Sequence, residues 1–445
     1  MQRQPAAPAA APDNTRPNRG GFMKKDINQL FVYPKSRVSK ETGDIIKSVR
    51  QWADKEIVNR RLEYLDDLEN AFPRARSRLA LDIGCQGLMF PPNSGGLGFA
   101  IPDARSDGKT DAATPLIHIL KEIGRADAGI GLIHAMEYAL CALIATSGDD
   151  RAAIDKELAP LFCQDRLHTA ALILPACGPA GGTYPLFEGR PVRASLETGD
   201  AEAECRISCP SLRPLDLGAE AAVFALVCAD PDKEPAVALV PGDAEGLRRG
   251  AAIRKTGLEG CANADIEIKG LRLAPALLLR GAPAVRSLYA WTGLLLGAVS
   301  TGAAMGCMEV AGQWAAERMI KGGERLKDNP LCASVLAEAY EEMAVSWALL
   351  HHMAAAFTQP GEWGAPASPM MFAQAQMTGR RVQAGAMQAV DKMMELMASE
   401  GYAREGRMEK AWRDIKTIQS GLCGAGAEAP VRLDVARYVF DSAAQ

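Results

Sequence analysis

"SLYAWTGLLLGAVSTGAAMGCM", residues 287–308, holds no charged residue over a length that would cross a bilayer. Gly, Ala, Ser and Thr dominate it, so it is only weakly hydrophobic on an insertion scale and no membrane span is expected. Small side chains let helices approach closely. We read the stretch as the central helix of a tightly packed bundle.

The surrounding chain supports that reading. In the segment beginning at Leu331, residues Val335, Leu336, Ala339, Met343, Trp347 and Leu350 form one stripe, with Glu338, Glu341 and Glu342 off it. Residues 40–160 also show helical periodicity, as in "TPLIHILKEIGRADAGIGLIHAMEYALCALIA", with a Gly/Asp turn near 124–131. Between about 165 and 282 the texture changes to short runs such as "AVFALVCAD", "PAVALVPGD" and "ADIEIKGLRL". In the last of these Ala264, Ile266 and Ile268 alternate with Asp265, Glu267 and Lys269, as in a half-buried strand. The expected organisation is α+β: a tail over 1–27, an N-terminal helical domain over 28–164, a middle β-domain over 165–282 and a C-terminal helical bundle over 283–445.

The 445 residues include 50 basic and 54 acidic ones, a net charge of -4, which provides no electrostatic footprint for a nucleic acid. Eleven cysteines lie singly in apolar surroundings, without a disulfide framework, and a reducing cytoplasm is expected. The close pair Cys205 and Cys209 lacks further ligands at zinc spacing and reads as strand. The opening "MQRQPAAPAAAPDNTRPNRGG" has too little hydrophobicity to fold, so disorder is expected there, and Met23 is a second candidate start.

Five stretches in order carry a resemblance: "GCQGLMFPPNSGGLGF" (84–99), "KEIGRADAGIG" (121–131), "KTGLEGCANADIEIKGLRLAPALLL" (255–279), "WAAERMIKG" (314–322) and "EKAWRDIKTIQ" (409–419). With them the chain resembles the acyl-CoA dehydrogenase family of flavoproteins over about 28–440. The resemblance implies an N-terminal helical domain, a middle β-barrel and a C-terminal four-helix bundle, with FAD between subunits. It also implies chemistry: a carboxylate removes the α-proton of an acyl-CoA thioester while hydride leaves the β-carbon for flavin N5.

The residues depart from that chemistry. The family base follows an R-D-x-K segment within Y-E-G-T; laid on Arg413, Asp414 and Lys416, the Glu position reads Leu422, among Gly421, Cys423 and Gly424. The alternative family base, on the first long helix of the bundle, reads Thr292. Neither accepts a proton as a carboxylate does. A Thr-Glu-Pro stretch that lines the flavin reads Ile173, Leu174, Pro175, and the following Gly-Ser-Asp reads Gly178, Pro179, Ala180. The Trp-Ile-Thr strand falls at about Arg213, Pro214 and Leu215. In the E-R-x-x-F-G stretch that a neighbouring subunit lends to FAD, Arg318 and Gly322 match and Lys321 replaces the Phe. A guanidinium there suits a pyrophosphate. The later Gln reads Glu395, and the Gly-Gly reads Ala398 and Ser399.

Three readings follow. The first is a non-catalytic partner in a hetero-oligomeric acyl-CoA dehydrogenase, contributing interface and Arg318 beside a homologous subunit, with FAD shared or held mainly by that subunit and an electron-transfer flavoprotein as acceptor. The second is an active flavoenzyme with a displaced base or a different acyl-CoA reaction, for which Glu137 and Glu428 are candidates; each also reads as a structural carboxylate. The third is an acyl-CoA binding protein without redox role. Elsewhere, His351 and His352 are adjacent on a helix and point about 100° apart, unsuited to one metal. Met387, Met393, Met394 and Met397 read as core. "GPAGG" (178–182) and "GGLG" (95–98) lack a dinucleotide context, and no G-x-S-x-G occurs.

Overall fold

The computed structural model describes residues 38–99, 113–147, 151–175, 184–198, 205–404, 408–423 and 425–441. The expected tail over 1–27 with Met23, and the positions Gly178, Pro179 and Ala180, lie outside them, as does the side chain of Glu428. Six helices come first: α1 (Lys40–Glu56), α2 (Arg61–Asp66), α3 (Leu68–Ser77), α4 (Ala113–Ala126), α5 (Ala128–Ser147) and α6 (Arg151–Phe162). The strands follow: β1 (Ala170–Ile173), β2 (Leu186–Phe187), β3 (Arg190–Pro191), β4 (Ala194–Thr198), β5 (Cys205–Leu212), β6 (Val223–Ala229), β7 (Pro235–Pro241), β8 (Leu247–Ala252), β9 (Ala264–Leu273) and β10 (Leu278–Arg280). Helices then return as α7 (Ala282–Glu317), α8 (Pro330–Phe357), α9 (Pro360–Trp363), α10 (Pro369–Met397), α11 (Ser399–Tyr402), α12 (Glu409–Cys423) and α13 (Ala425–Asp441).

Local chemistry starts these helices. Ser39, Asn329 and Ser368 cap α1, α8 and α10 with side-chain oxygens that accept from backbone amides of the first turn. Pro330 and Pro369 take the first positions of α8 and α10, where a missing amide costs nothing.

Helix α7 is the stretch 287–308 extended at both ends, and it packs against α4 and α5 on one side and α8, α10 and α12 on another. Its small residues have a specific use. A Cβ on Gly302 would lie 2.1 Å from the Lys121 carbonyl oxygen, and one on Gly124 would lie 2.2 Å from that of Val299. Thus α4 and α7 touch backbone to backbone, at a spacing only glycine permits. Among the described residues two helices are apolar and long enough to span a bilayer, and both are core elements: 89% of the α7 window and 94% of the Ala128–Ala145 window are buried inside the protein. The stripe on α8 points inward, with Ala339, Met343, Trp347 and Leu350 fully covered and Glu338 and Glu341 exposed.

The main sheet runs β10-β7-β6-β4-β5-β9-β8, with β1 parallel to β6. In β9 Ala264, Ile266 and Ile268 face the core as the alternation predicts. The phase then shifts at Gly270, which has a φ of +57°, so that Leu271 and Leu273 point inward. The pairing of β5 with β9 is irregular over the same stretch, and a bulge restores burial at the cost of strict period two. Cys205 and Cys209 lie on β5 as free thiols.

Candidate functional site

Four segments far apart in sequence meet at the end of β1. Leu215 donates its amide to the Leu172 carbonyl at 2.8 Å, which lays 213–215 beside the strand. Tyr289, in the first turns of α7, donates its hydroxyl to the Pro175 carbonyl at 3.2 Å. From α12, Gly421 comes so near Leu215 that a Cβ would lie 2.6 Å from Leu215 Cδ1. Leu422 is half-buried against the same core. A cavity of about 110 Å³ lies here, lined by Ile173, Leu174, Pro175, Pro191, Arg193, Leu212, Arg213 and Val227. The stretches matched to the family's Thr-Glu-Pro and Trp-Ile-Thr are thus brought together, with the end of the base-bearing segment beside them.

The chemistry of this junction is apolar. Thr292 is 1% exposed, and its hydroxyl donates back to the Leu288 carbonyl at 2.7 Å, so it is occupied within its own helix. No carboxylate lines the cavity among the described residues. The residues do not fit a flavin ring on their own: Ile173 and Leu174 offer no side-chain hydrogen bond, the Pro175 carbonyl is engaged by Tyr289, and Arg213 is engaged by both oxygens of Asp265 at 2.8 and 3.1 Å. The volume is also below the roughly 150 Å³ that accommodates a single benzene ring.

Arg318 is placed quite differently. It is the C-cap residue of α7, exposed, and leads into a turn in which Gly322 and Gly323 have φ of +105° and +82°. Glu395 is exposed near the end of α10. Ala398 caps that helix at φ 51° and ψ −130°, a conformation essentially reserved for glycine. An alanine thus holds a backbone conformation that suits glycine at the end of α10.

The first half of α12 forms a buried ionic lock. Lys410 donates to Asp127 at 2.7 Å and to Asp414 at 2.6 Å. The other oxygen of Asp127 accepts from the amides of Gly129 and Ile130, capping α5, and Tyr64 donates to Asp127 at 2.9 Å. Asp414 accepts from the Leu258 amide at 2.6 Å. Burial raises both carboxyls, but at Asp127 the Lys410 ammonium and the converging donors outweigh it and hold the group below the usual range; at Asp414 burial wins. Arg413 adds a second tie to Glu409, Glu259 and the Thr256 carbonyl. Lys416 reaches only Gln419, at the surface.

Glu137 is not among the residues that line the cavity. It is 2% exposed on α5, with Arg76 as its charged neighbour, and burial pushes its carboxyl well up. His134, one turn earlier, lies 3.5 Å away and is held neutral by burial and by Arg76, its pKa lowered to about 3. His351 meets His118 and Trp347, whereas His352 meets Trp363, so the adjacent pair diverges. Met387, Met393, Met394 and Met397 are all buried.

The family described as "Acyl-CoA dehydrogenase, N-terminal domain" matches residues 39–153, and "Acyl-CoA dehydrogenase, C-terminal domain" matches 294–421, together more than half the chain. No curated protein matches. Among solved structures the chain is similar to butyryl-CoA dehydrogenase from Megasphaera elsdenii, at TM-score 0.70 and 16% identity over 90% of this chain and 98% of that one. It is similar to a glutaryl-CoA dehydrogenase from Mycobacterium smegmatis in complex with FADH2, at TM-score 0.67 and 15% identity over 91% and 95%. A chain from a structure of the electron transferring flavoprotein of Acidaminococcus fermentans gives TM-score 0.71 and 17% identity over 90% and 98%. At these identities the structures speak for the fold.

Proposed function

As the chain belongs to the acyl-CoA dehydrogenase family, we propose that it is the non-catalytic partner in a hetero-oligomeric complex that carries out FAD-linked α,β-dehydrogenation of an acyl-CoA thioester. The observation that carries the proposal is the absence of a carboxylate at the two positions that the resemblance matches to a family base: Leu422 is an apolar side chain and Thr292 is sealed inside its helix. The apolar side chains of Ile173 and Leu174 add support, because among the described residues they offer a flavin ring no side-chain hydrogen bond. In this reading the homologous subunit supplies the base and most of the flavin contacts. This chain supplies interface, and the exposed Arg318 pairs with an anionic group of a cofactor held across that interface. An electron-transfer flavoprotein is the proposed acceptor, and the cytoplasm the proposed compartment.

Visible absorbance tests this directly. The chain purified alone is expected to be colourless, and to enter a yellow complex when co-expressed with a Glu-bearing homologue from neighbouring genes, with Arg318→Ala reducing flavin retention in the complex. A lone chain that purifies yellow with stoichiometric FAD overturns the proposal.

A further inference from the structure

The cavity at the end of β1 is too apolar for a flavin, but it is a built site for something smaller. Its floor and walls are Ile173 and Val227, each 3% exposed, with Leu174, Pro175, Pro191 and Leu212 around them. Two arginines, Arg193 and Arg213, complete the lining. The guanidinium of Arg213 is neutralised by its two-point pair with Asp265. That of Arg193 is exposed and has no ionic partner among the described residues. The site is therefore a short apolar socket with one positive charge that no described residue compensates. We infer that it binds a short-chain carboxylate, with the alkyl chain in the socket and the carboxylate on Arg193.

Size sets the chain length. An apolar cavity of about 150 Å³ accepts benzene, so 110 Å³ takes roughly three or four carbons with the acid group outside. Chemistry sets the charge. A carboxylate gains a charge-assisted hydrogen bond from a planar guanidinium, whereas an ammonium meets repulsion. A few buried methylenes and one partly hydrated ion pair correspond to a dissociation constant on the order of a millimolar.

The test uses the full chain in isothermal titration and saturation-transfer NMR, with sodium butyrate, octanoate, butylammonium and 1-butanol as probes. Butyrate is expected to bind about tenfold more tightly than butylammonium, and octanoate no more tightly than butyrate, because the socket ends. Arg193→Gln, a surface change, is expected to weaken butyrate about tenfold while leaving 1-butanol unaltered. Val227→Phe, checked for native circular dichroism, is expected to remove both by filling the floor, and Leu174→Phe serves if that variant fails to fold. Affinity that grows steadily from butyrate to octanoate is adsorption to an apolar surface and overturns the inference. So does butyrate binding that ignores Arg193→Gln, or no butyrate binding at tens of millimolar. None of these results depends on whether the chain joins a partner, which the colour of the complex reads separately.

Discussion

The two ends of α12 make opposite use of the same helix. At its start Lys410, Arg413 and Asp414 form a satisfied ionic lock that joins α5, Tyr64 and the loop around Leu258. At its finish Gly421 packs on Leu215 and Leu422 on the apolar core, with no ionisable side chain at either position. The position of the helix end is over-determined, while what it presents is chemically blank. Placement and reactivity are thus separable properties, set by different residues a few turns apart.

The strongest way to break this contrast is at the lock. Lys410→Met leaves Asp127 and Asp414 facing each other without a cation, and is expected to destabilise the chain by about 3–5 kcal/mol in chemical denaturation. A loss under 1 kcal/mol would mean that the ionic half of α12 is as dispensable as the apolar half.

A second experiment asks whether the buried acid of α5 behaves as an idle structural group. His134 is lowered and Glu137 raised, so the folded protein holds a neutral imidazole and a protonated carboxyl. Between the ordinary values of 4.5 and 6.5 the unfolded chain holds imidazolium and carboxylate, the same number of protons. The two slopes cancel. Glu137→Gln leaves the depressed histidine, whose contribution is complete above 6.5 and is lost as pH falls toward about 3. His134→Phe leaves the raised carboxyl, whose contribution is present at low pH and is lost as pH rises above 4.5. Denaturation at pH 5 and 6 is expected to show opposite slopes of about 1.4 kcal/mol per pH unit in the two variants. Parallel slopes would show that one of the pair is charged in the folded state.

A smaller effect is expected at Ala398. Its backbone sits where glycine is at ease, so Ala398→Gly is expected to stabilise the chain by about 1 kcal/mol; a lower melting temperature would refute the strain. The smallest effect concerns the blank end itself. Leu422→Glu, expressed without a partner, is expected to yield no desaturation of acyl-CoA substrates in a dye-reduction assay, because Ile173 and Leu174 still offer nothing to a flavin. Clear turnover would show that the single carboxylate was all that was missing.

Much of the frame was legible. The small residues of 287–308 announced a central helix, and the α8 stripe and the first half of β9 followed their periods. The β9 phase shift was not, since the bulge depends on the partner strand. The matching of Leu422 and Thr292 to the family's base positions came from the resemblance, which supplied a frame to count from. The lock was invisible for a different reason: Lys410 and Asp127 are 283 positions apart, and nothing local marks either. Asp127 was read only as part of a turn. Arg193 went unnoticed too, because a lone arginine carries no signal until the strands around it enclose a cavity.

Helix α7 has one more consequence. It is 36 residues long, about 54 Å, with Tyr289 near its start, Arg318 at its finish and the glycine contacts with α4 near mid-span. With α4, α5, α8, α10 and α12 all packed against it, the helix works as an embedded tie rod that joins the exposed Arg318 turn and the bond from Tyr289 to the Pro175 carbonyl in one rigid body.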